Sequence, residues 1–108
     1  MKYMLLVYFK EDVINESERE HCYDESLQLA RRIEAKGQYL GAAPLHSVST
    51  ATSVRVRDGK ALVTDGPFAE THEQLGGYYL VDVADLDEAT NIARQIPGAR
   101  YGTVEAGR

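Results

Sequence analysis

Asp65-Gly66-Pro67-Phe68 opens a connection of thirteen residues, Asp65 to Gly77, between a hairpin and the next strand. Connections of that length are uncommon in a compact domain and are often binding loops. An aspartate at a strand end, held by a Gly-Pro turn, can aim its carboxylate into a pocket walled by Phe68 and by the ring of Tyr78 or Tyr79. Tyr8 and Pro67 join Phe68 and Tyr78 as candidate ligand-binding residues bordering such a cleft. A carboxylate in that position is suited to proton transfer. The plainer alternative is a turn at 65–67, one helical turn from Glu70 to Gln74, and Gly76-Gly77 realigning the chain, with Asp65 at most capping the turn.

Other chemistry-bearing residues are sparser. Glu18, His21 and Glu25 fall at i, i+3 and i+7, one helical face, but no second helix offers matching ligands, so a metal site is not expected. His21 has its own alternative, a solvated imidazole between Glu20 and Asp24. Cys22 is rotated by about 100° from His21 and has neither a second thiol nor a base nearby, which favours a structural cysteine over a nucleophile. Gly76-Gly77 fits no phosphate-loop spacing, and no cofactor is called for. Arg55, Arg57 and Lys60 form a basic strip on one hairpin, either a solvated strand face or a holder for a carboxylate ligand.

The elements that must position these residues follow from patterning. Tyr3 to Phe9 is too short for a helix and rich in strand formers, with apolar residues on both faces: Tyr3, Leu5, Val7 and Phe9 on one, Met4, Leu6 and Tyr8 on the other. A helix follows, opened by a capping box at Ser17/Glu20 or Asn15/Glu18, carrying a stripe of Tyr23, Leu27, Ala30 and Ile33, and stopped by Gly37. Tyr39 to Ala43 is a second strand ending at Pro44, and His46 to Thr52 is a loop. Val54 to Arg57 and Lys60 to Thr64 flank Asp58-Gly59, a type I′ hairpin signal. Tyr78 to Val83 is the next strand. Asp85 and Glu88 cap a helix with Leu86, Ala89, Ala93 and Ile96 inward, ended by Pro97-Gly98, and Thr103 to Ala106 is the last strand.

This order gives an α+β, ferredoxin-like β-α-β-β-α-β domain over residues 1–108, with an antiparallel sheet and both helices on one face. The other face is then bare and apolar, a patch larger than a soluble monomer usually carries, so the expected partner is a second copy, a homodimer packed sheet to sheet. With 108 residues the chain buries about two thirds of its surface, so any site is shallow or shared between subunits. A net charge of −5 disfavours nucleic acid and anionic membranes. One cysteine and no long apolar run point to a reducing compartment, the cytoplasm, without anchor or signal peptide.

Thr64-Asp65-Gly66-Pro67-Phe68-Ala69-Glu70-Thr71, followed by Glu73-Gln74-Leu75-Gly76-Gly77-Tyr78-Tyr79-Leu80, resembles the signature of the DGPF-domain family within the wider YCII-related group. The likeness extends to Lys2-Tyr3-Met4-Leu5-Leu6, to Thr52–Gly59 and to Val81–Pro97. His72 departs from the usual lysine, and Leu45-His46-Ser47 from a more usual leucine- and proline-rich stretch. The resemblance implies a dimeric α+β barrel and, in a group without an established reaction, a histidine and aspartate pair in a cleft as the catalytic site. Asp65 matches the aspartate by motif, and His21, in the first helix, is the nearest histidine, about one 3.6-residue turn out of register. Such a pair gives a histidine usable as acid or base near neutral pH. The expectation is a small-molecule enzyme, isomerase- or lyase-like, acting on a small organic acid or enol. The alternative is a non-catalytic metabolite-binding or regulatory dimer.

Overall fold

Alternation along the first strand decides which face becomes the core. In the computed structural model, which describes residues 1–68 and 72–108, β1 (Lys2–Phe9) buries Tyr3, Leu5 and Val7 and leaves Met4, Leu6 and Tyr8 outside. The helix α1 (Glu16–Ala35) follows, then β2 (Tyr39–Pro44), the hairpin strands β3 (Thr52–Arg57) and β4 (Lys60–Asp65), β5 (Gln74–Asp82), α2 (Leu86–Ala93), the single turn α3 (Gly98–Tyr101) and β6 (Thr103–Gly107). Four strands form an antiparallel sheet in the order β2-β5-β1-β6, while β3 and β4 pair only with each other. This is the ferredoxin-like α+β arrangement with a hairpin inserted between its second and third sheet strands. Leu29 and Ile33 of α1 and Ala89 and Ile92 of α2, with Ile96, share one cluster with Leu5, Tyr79 and Val81, so both helices cover the same face. Among the described residues no helix is long and apolar enough to cross a membrane.

Several expectations need correction. Of the two capping boxes, Asn15/Glu18 forms: the Glu18 amide donates to Asn15 Oδ1 at 2.8 Å and the Asn15 amide to Glu18 Oε1 at 3.2 Å. Leu29, not Tyr23 or Leu27, is the fully buried residue of α1, because the helix turns Tyr23 and Leu27 beyond the core toward an open pocket, where they stay 47% and 52% exposed. In α2 Ala89 is buried as expected, but Ile92 joins it in place of Leu86, which is exposed. Pro97-Gly98 opens α3 instead of merely ending a helix. The stretch His46–Thr52 holds a 3-10 turn at Val48–Thr50, and Thr52 already belongs to β3.

The largest correction is at β5, which starts at Gln74 rather than Tyr78. A helical turn reaching Gln74 is therefore excluded, and Ala69, Glu70 and Thr71 lie outside the described residues. Gly76-Gly77 suggests a turn because glycine commonly punctuates chains. Here the pair sits inside the strand, at a bulge where the register with β1 shifts between Val7 and Tyr8. Close approach is the reason: a methyl at Gly76 would run into the Phe9 ring, and one at Gly77 would lie 2.9 Å from the Ala43 carbonyl oxygen.

The β3–β4 hairpin turns as its sequence dictates, with Asp58 at φ 52° and Gly59 at φ 75°, the two positive angles of a type I′ turn. It stands apart from the core, and every residue of β4 is exposed. The protomer accordingly has a radius of gyration of 15.3 Å, against about 13 Å for a compact chain of this length.

Candidate functional site

Where the helix and sheet part company, they leave a cavity of about 410 Å³. From α1 come Arg19, Cys22, Tyr23, Ser26, Leu27 and Ala30; from the sheet Val7, Phe9, Tyr39, Ala42 and Tyr79; and Pro97, Gly98 and Tyr101 close one end. The wall is mostly apolar. Glycine makes part of the space, since a methyl at Gly98 would strike Val7. Polar groups are few. The Tyr79 hydroxyl donates to the Ser26 carbonyl oxygen at 2.8 Å, and burial pushes its phenol up from the ordinary value, so it is a fixed donor and not a base. Burial likewise pushes the Cys22 thiol up, partly offset by the nearby Arg100. Arg19 is the charged residue of the lining, and it donates to the Glu11 carbonyl oxygen at 3.3 Å.

Beside the cavity a charged relay ties α3 to α1. Arg100 donates to both oxygens of Glu25, at 2.7 and 3.0 Å, and the His21 Nε2 stands 3.0 Å from Glu25 Oε1. The Arg100 hydrogen bonds hold the Glu25 carboxyl below the usual carboxylate range, and the same contacts push the Arg100 guanidinium higher. An imidazole facing a carboxylate therefore exists in this chain, with Glu25 as the carboxylate. The His21 side chain is 73% exposed and does not line the cavity. The carboxylate of Glu18, which shares that helix face, is held by the Asn15 amide, and among the described residues no group of three metal-ligating side chains occurs.

Asp65 ends β4 opposite Thr52 and is exposed. The turn after it is fixed as the Gly-Pro pair suggests: Gly66 has φ +100°, its amide donates to the Ala51 carbonyl at 2.7 Å, and its own carbonyl accepts from the Ser53 hydroxyl at 2.8 Å. Among the described residues of one chain, no hydrogen bond or ion pair joins Asp65 to any imidazole. Pro67 is exposed, and the ring of Phe68, 73% exposed, stacks under Arg55 at 4.8 Å. Tyr78 is among the cavity residues, whereas Tyr8 stands on the open sheet face with Leu6 and Met4. The Glu11 carboxylate accepts from the Ser47 hydroxyl at 2.8 Å and the Val48 amide at 2.7 Å, so the turn that leads to Ala51 is tied to the segment holding Arg19.

Sequence patterning missed Arg19, the Glu25–Arg100 pair and the cavity itself. Tyr23 and Leu27 were the available signal, two large apolar residues on a helix whose core face was already filled by Leu29 and Ile33.

Comparison with known proteins adds three findings. The YCII-related domain family matches this chain over residues 1–108. An uncharacterised protein of Rhizobium meliloti (strain 1021) is 37% identical over 106 residues, covering 95% of this chain and 86% of that protein. A solved structure, the 5-chloro-2-hydroxyhydroquinone dehydrochlorinase from Burkholderia phenoliruptrix AC1100 in complex with 2,5-dihydroxybenzoquinone, aligns with a TM-score of 0.59 at 11% identity. That alignment covers 100% of this chain and 92% of the other, and at such low identity the likeness is one of fold.

Proposed function

The chain belongs to the YCII-related domain family, and from that premise we propose that it is a small-molecule enzyme of the DGPF type, working as a homodimer by acid–base chemistry. The single observation that carries this reading is the cavity. At about 410 Å³ it falls within the range of roughly 300 to 1,000 Å³ typical of small-molecule sites, apolar with a few convergent polar groups. Its aromatic walls and Arg19 suit a planar ring bearing one acidic hydroxyl or carboxyl group. A dehydrochlorinase of the same fold, solved with a dihydroxybenzoquinone, supports a cyclic enol or phenol as the substrate class.

In this reading Asp65 takes a proton from the substrate, the bonding electron pair moves onto the adjacent carbonyl oxygen, and returning the proton to another atom completes an isomerisation. His21 is the second acid–base group. Tyr78 borders the bound ring from the cavity wall, and Tyr8, Pro67 and Phe68, which do not line the cavity of one chain, join it only through assembly. The dimer packs through the open sheet face of Met4, Leu6, Tyr8, Tyr78 and Leu80, the face opposite the one the described helices cover.

One observation favours the second reading, a non-catalytic metabolite-binding or regulatory dimer: neither Asp65 nor His21 lines the cavity. A turnover screen over cyclic enols, phenols and small organic acids separates the two, using the wild type, Asp65→Asn and Leu27→Trp. The tryptophan replaces an exposed cavity residue and fills the mouth. The enzyme reading expects product from the wild type and loss of at least about 100-fold in Asp65→Asn, the smaller end of what a general base supplies. Binding that Leu27→Trp abolishes, with no product from any compound, would establish the second reading instead.

A further inference from the structure

The β3–β4 hairpin is unlike any other part of the chain. Cross-strand pairing sorts its residues into two faces: Thr52, Val54, Val56, Ala61, Val63 and Asp65 on one, and Ser53, Arg55, Arg57, Lys60, Leu62 and Thr64 on the other. The first is apolar with Asp65 at its root, and the second is basic. Val54, Val56 and Val63 are each more than 60% exposed, although valine at alternate positions is the pattern of a half-buried strand. A lone two-stranded ribbon is marginal in water at best. Something must cover it.

We propose that the hairpin is an arm that packs its valine face on a second copy of this chain, so that the site around Asp65 is completed only by the partner. This rests on the reading of Asp65 as a site residue, and it adds to the sheet-packed dimer a second contact that places Asp65 inside the interface. Surface area favours a second copy as the occupant. The protomer exposes 7452 Å², against roughly 6,000 Å² for a compact monomer of its mass. The excess exceeds the ~800 Å² that each partner contributes to a standard interface. The opposite face, carrying Arg55, Arg57 and Lys60, is the side such a contact leaves in water. A two-fold arrangement exchanges both arms at once, and no arm is left uncovered.

The arm also explains Asp65. Its carboxylate makes no hydrogen bond or ion pair among the described residues, and the turn after it is held by the Gly66 and Ser53 contacts, so among those residues nothing calls for an aspartate there. On the valine face it is carried into the contact.

Sedimentation equilibrium on the wild type, Val54→Asp/Val63→Asp and Leu6→Asp tests the arm, with circular dichroism confirming that each variant is folded. The expected result is a wild-type dimer whose dissociation constant rises at least about tenfold in the arm variant. A dimer indifferent to the arm variant yet weakened by Leu6→Asp overturns the proposal and leaves the sheet-packed dimer standing. A single wild-type protomer overturns both, and if it binds anionic vesicles the arm belongs to a membrane surface instead. A second measurement needs no charged substitution. In a Cys22→Ser background, Asp65→Cys should react with a maleimide at least about tenfold more slowly at a concentration where the chain is dimeric than where it is single, and equal rates would show that the partner does not reach this position. Because neither measurement reads turnover, the arm can fail while the enzyme reading survives, and the reverse.

Discussion

Strands β1 and β4 draw on the same kinds of residue, Leu5 and Val7 in one, Leu62 and Val63 in the other, yet Leu5 is sealed from solvent while Val63 keeps 66% of its surface exposed. Propensity and turn chemistry suffice to make both into strands. Burial needs a second layer, and only β1 has one within the chain, in Leu29, Ile33, Ala89 and Ile92. The difference separates what a sequence does locally from what it does only in company. Cavity and exposed hairpin are both products of it: α1 covers the sheet incompletely, which leaves the cavity, and among the described residues no helix covers the hairpin.

The comparison breaks most readily at its buried end. Leu5→Ala should cost about 2 to 5 kcal/mol, the lost transfer free energy plus the cavity left behind, measured by urea unfolding. A cost below about 1 kcal/mol would mean that the core is not where the burial pattern puts it. Asn15→Ala removes one half of the capping box at the start of α1 and should cost about 1 kcal/mol, since the Glu18 amide its side chain satisfies lies in the first turn and has no helical partner. Unchanged stability would show that α1 is held by packing alone.

The Glu25–Arg100 pair lies between core and arm in character, a surface contact that joins α3 to α1. Its carboxyl is held below the ordinary value of 4.5, so its contribution is complete above that pH and is lost as pH falls through the lowered value. Glu25→Gln should therefore lower stability by about 0.2 to 1 kcal/mol at pH 7, as for other exposed pairs, with the difference from wild type vanishing in acid. A deficit that persists at pH 2 would assign the effect to packing. The smallest effect belongs to the arm: Val63→Ala, in dilute solution where chains are single, should shift stability by less than about 0.5 kcal/mol. A loss comparable with that of Leu5→Ala would erase the distinction between the two strands.

Much of the fold was legible because it rests on local rules. Asp58-Gly59 admits few turns other than the one it makes, Asp85 with Glu88 caps α2 as its spacing requires, and the two-faced β1 announces a central strand. Gly76-Gly77 misled because two opposite uses of glycine, reversing a chain and letting two chains approach, look alike in sequence. Of the residues the sequence singles out as a site, Tyr78 lines the cavity, whereas Asp65, His21, Tyr8, Pro67 and Phe68 do not. Asp65 and its Gly-Pro turn stand out by residue type alone. Arg19, Cys22 and Tyr101 come together across 82 residues of chain through the docking of α3 beside α1, and no periodicity records such a meeting. The His21–Glu25 contact was within reach, because the two residues fall one turn apart on a helix face that their spacing already marks.

The claim on which this account turns is that surface left bare by one chain is covered by another. Sedimentation equilibrium of the wild-type protein at micromolar concentration tests it most directly. The account predicts a particle of two chains, and a stable particle of one chain across that range would contradict it.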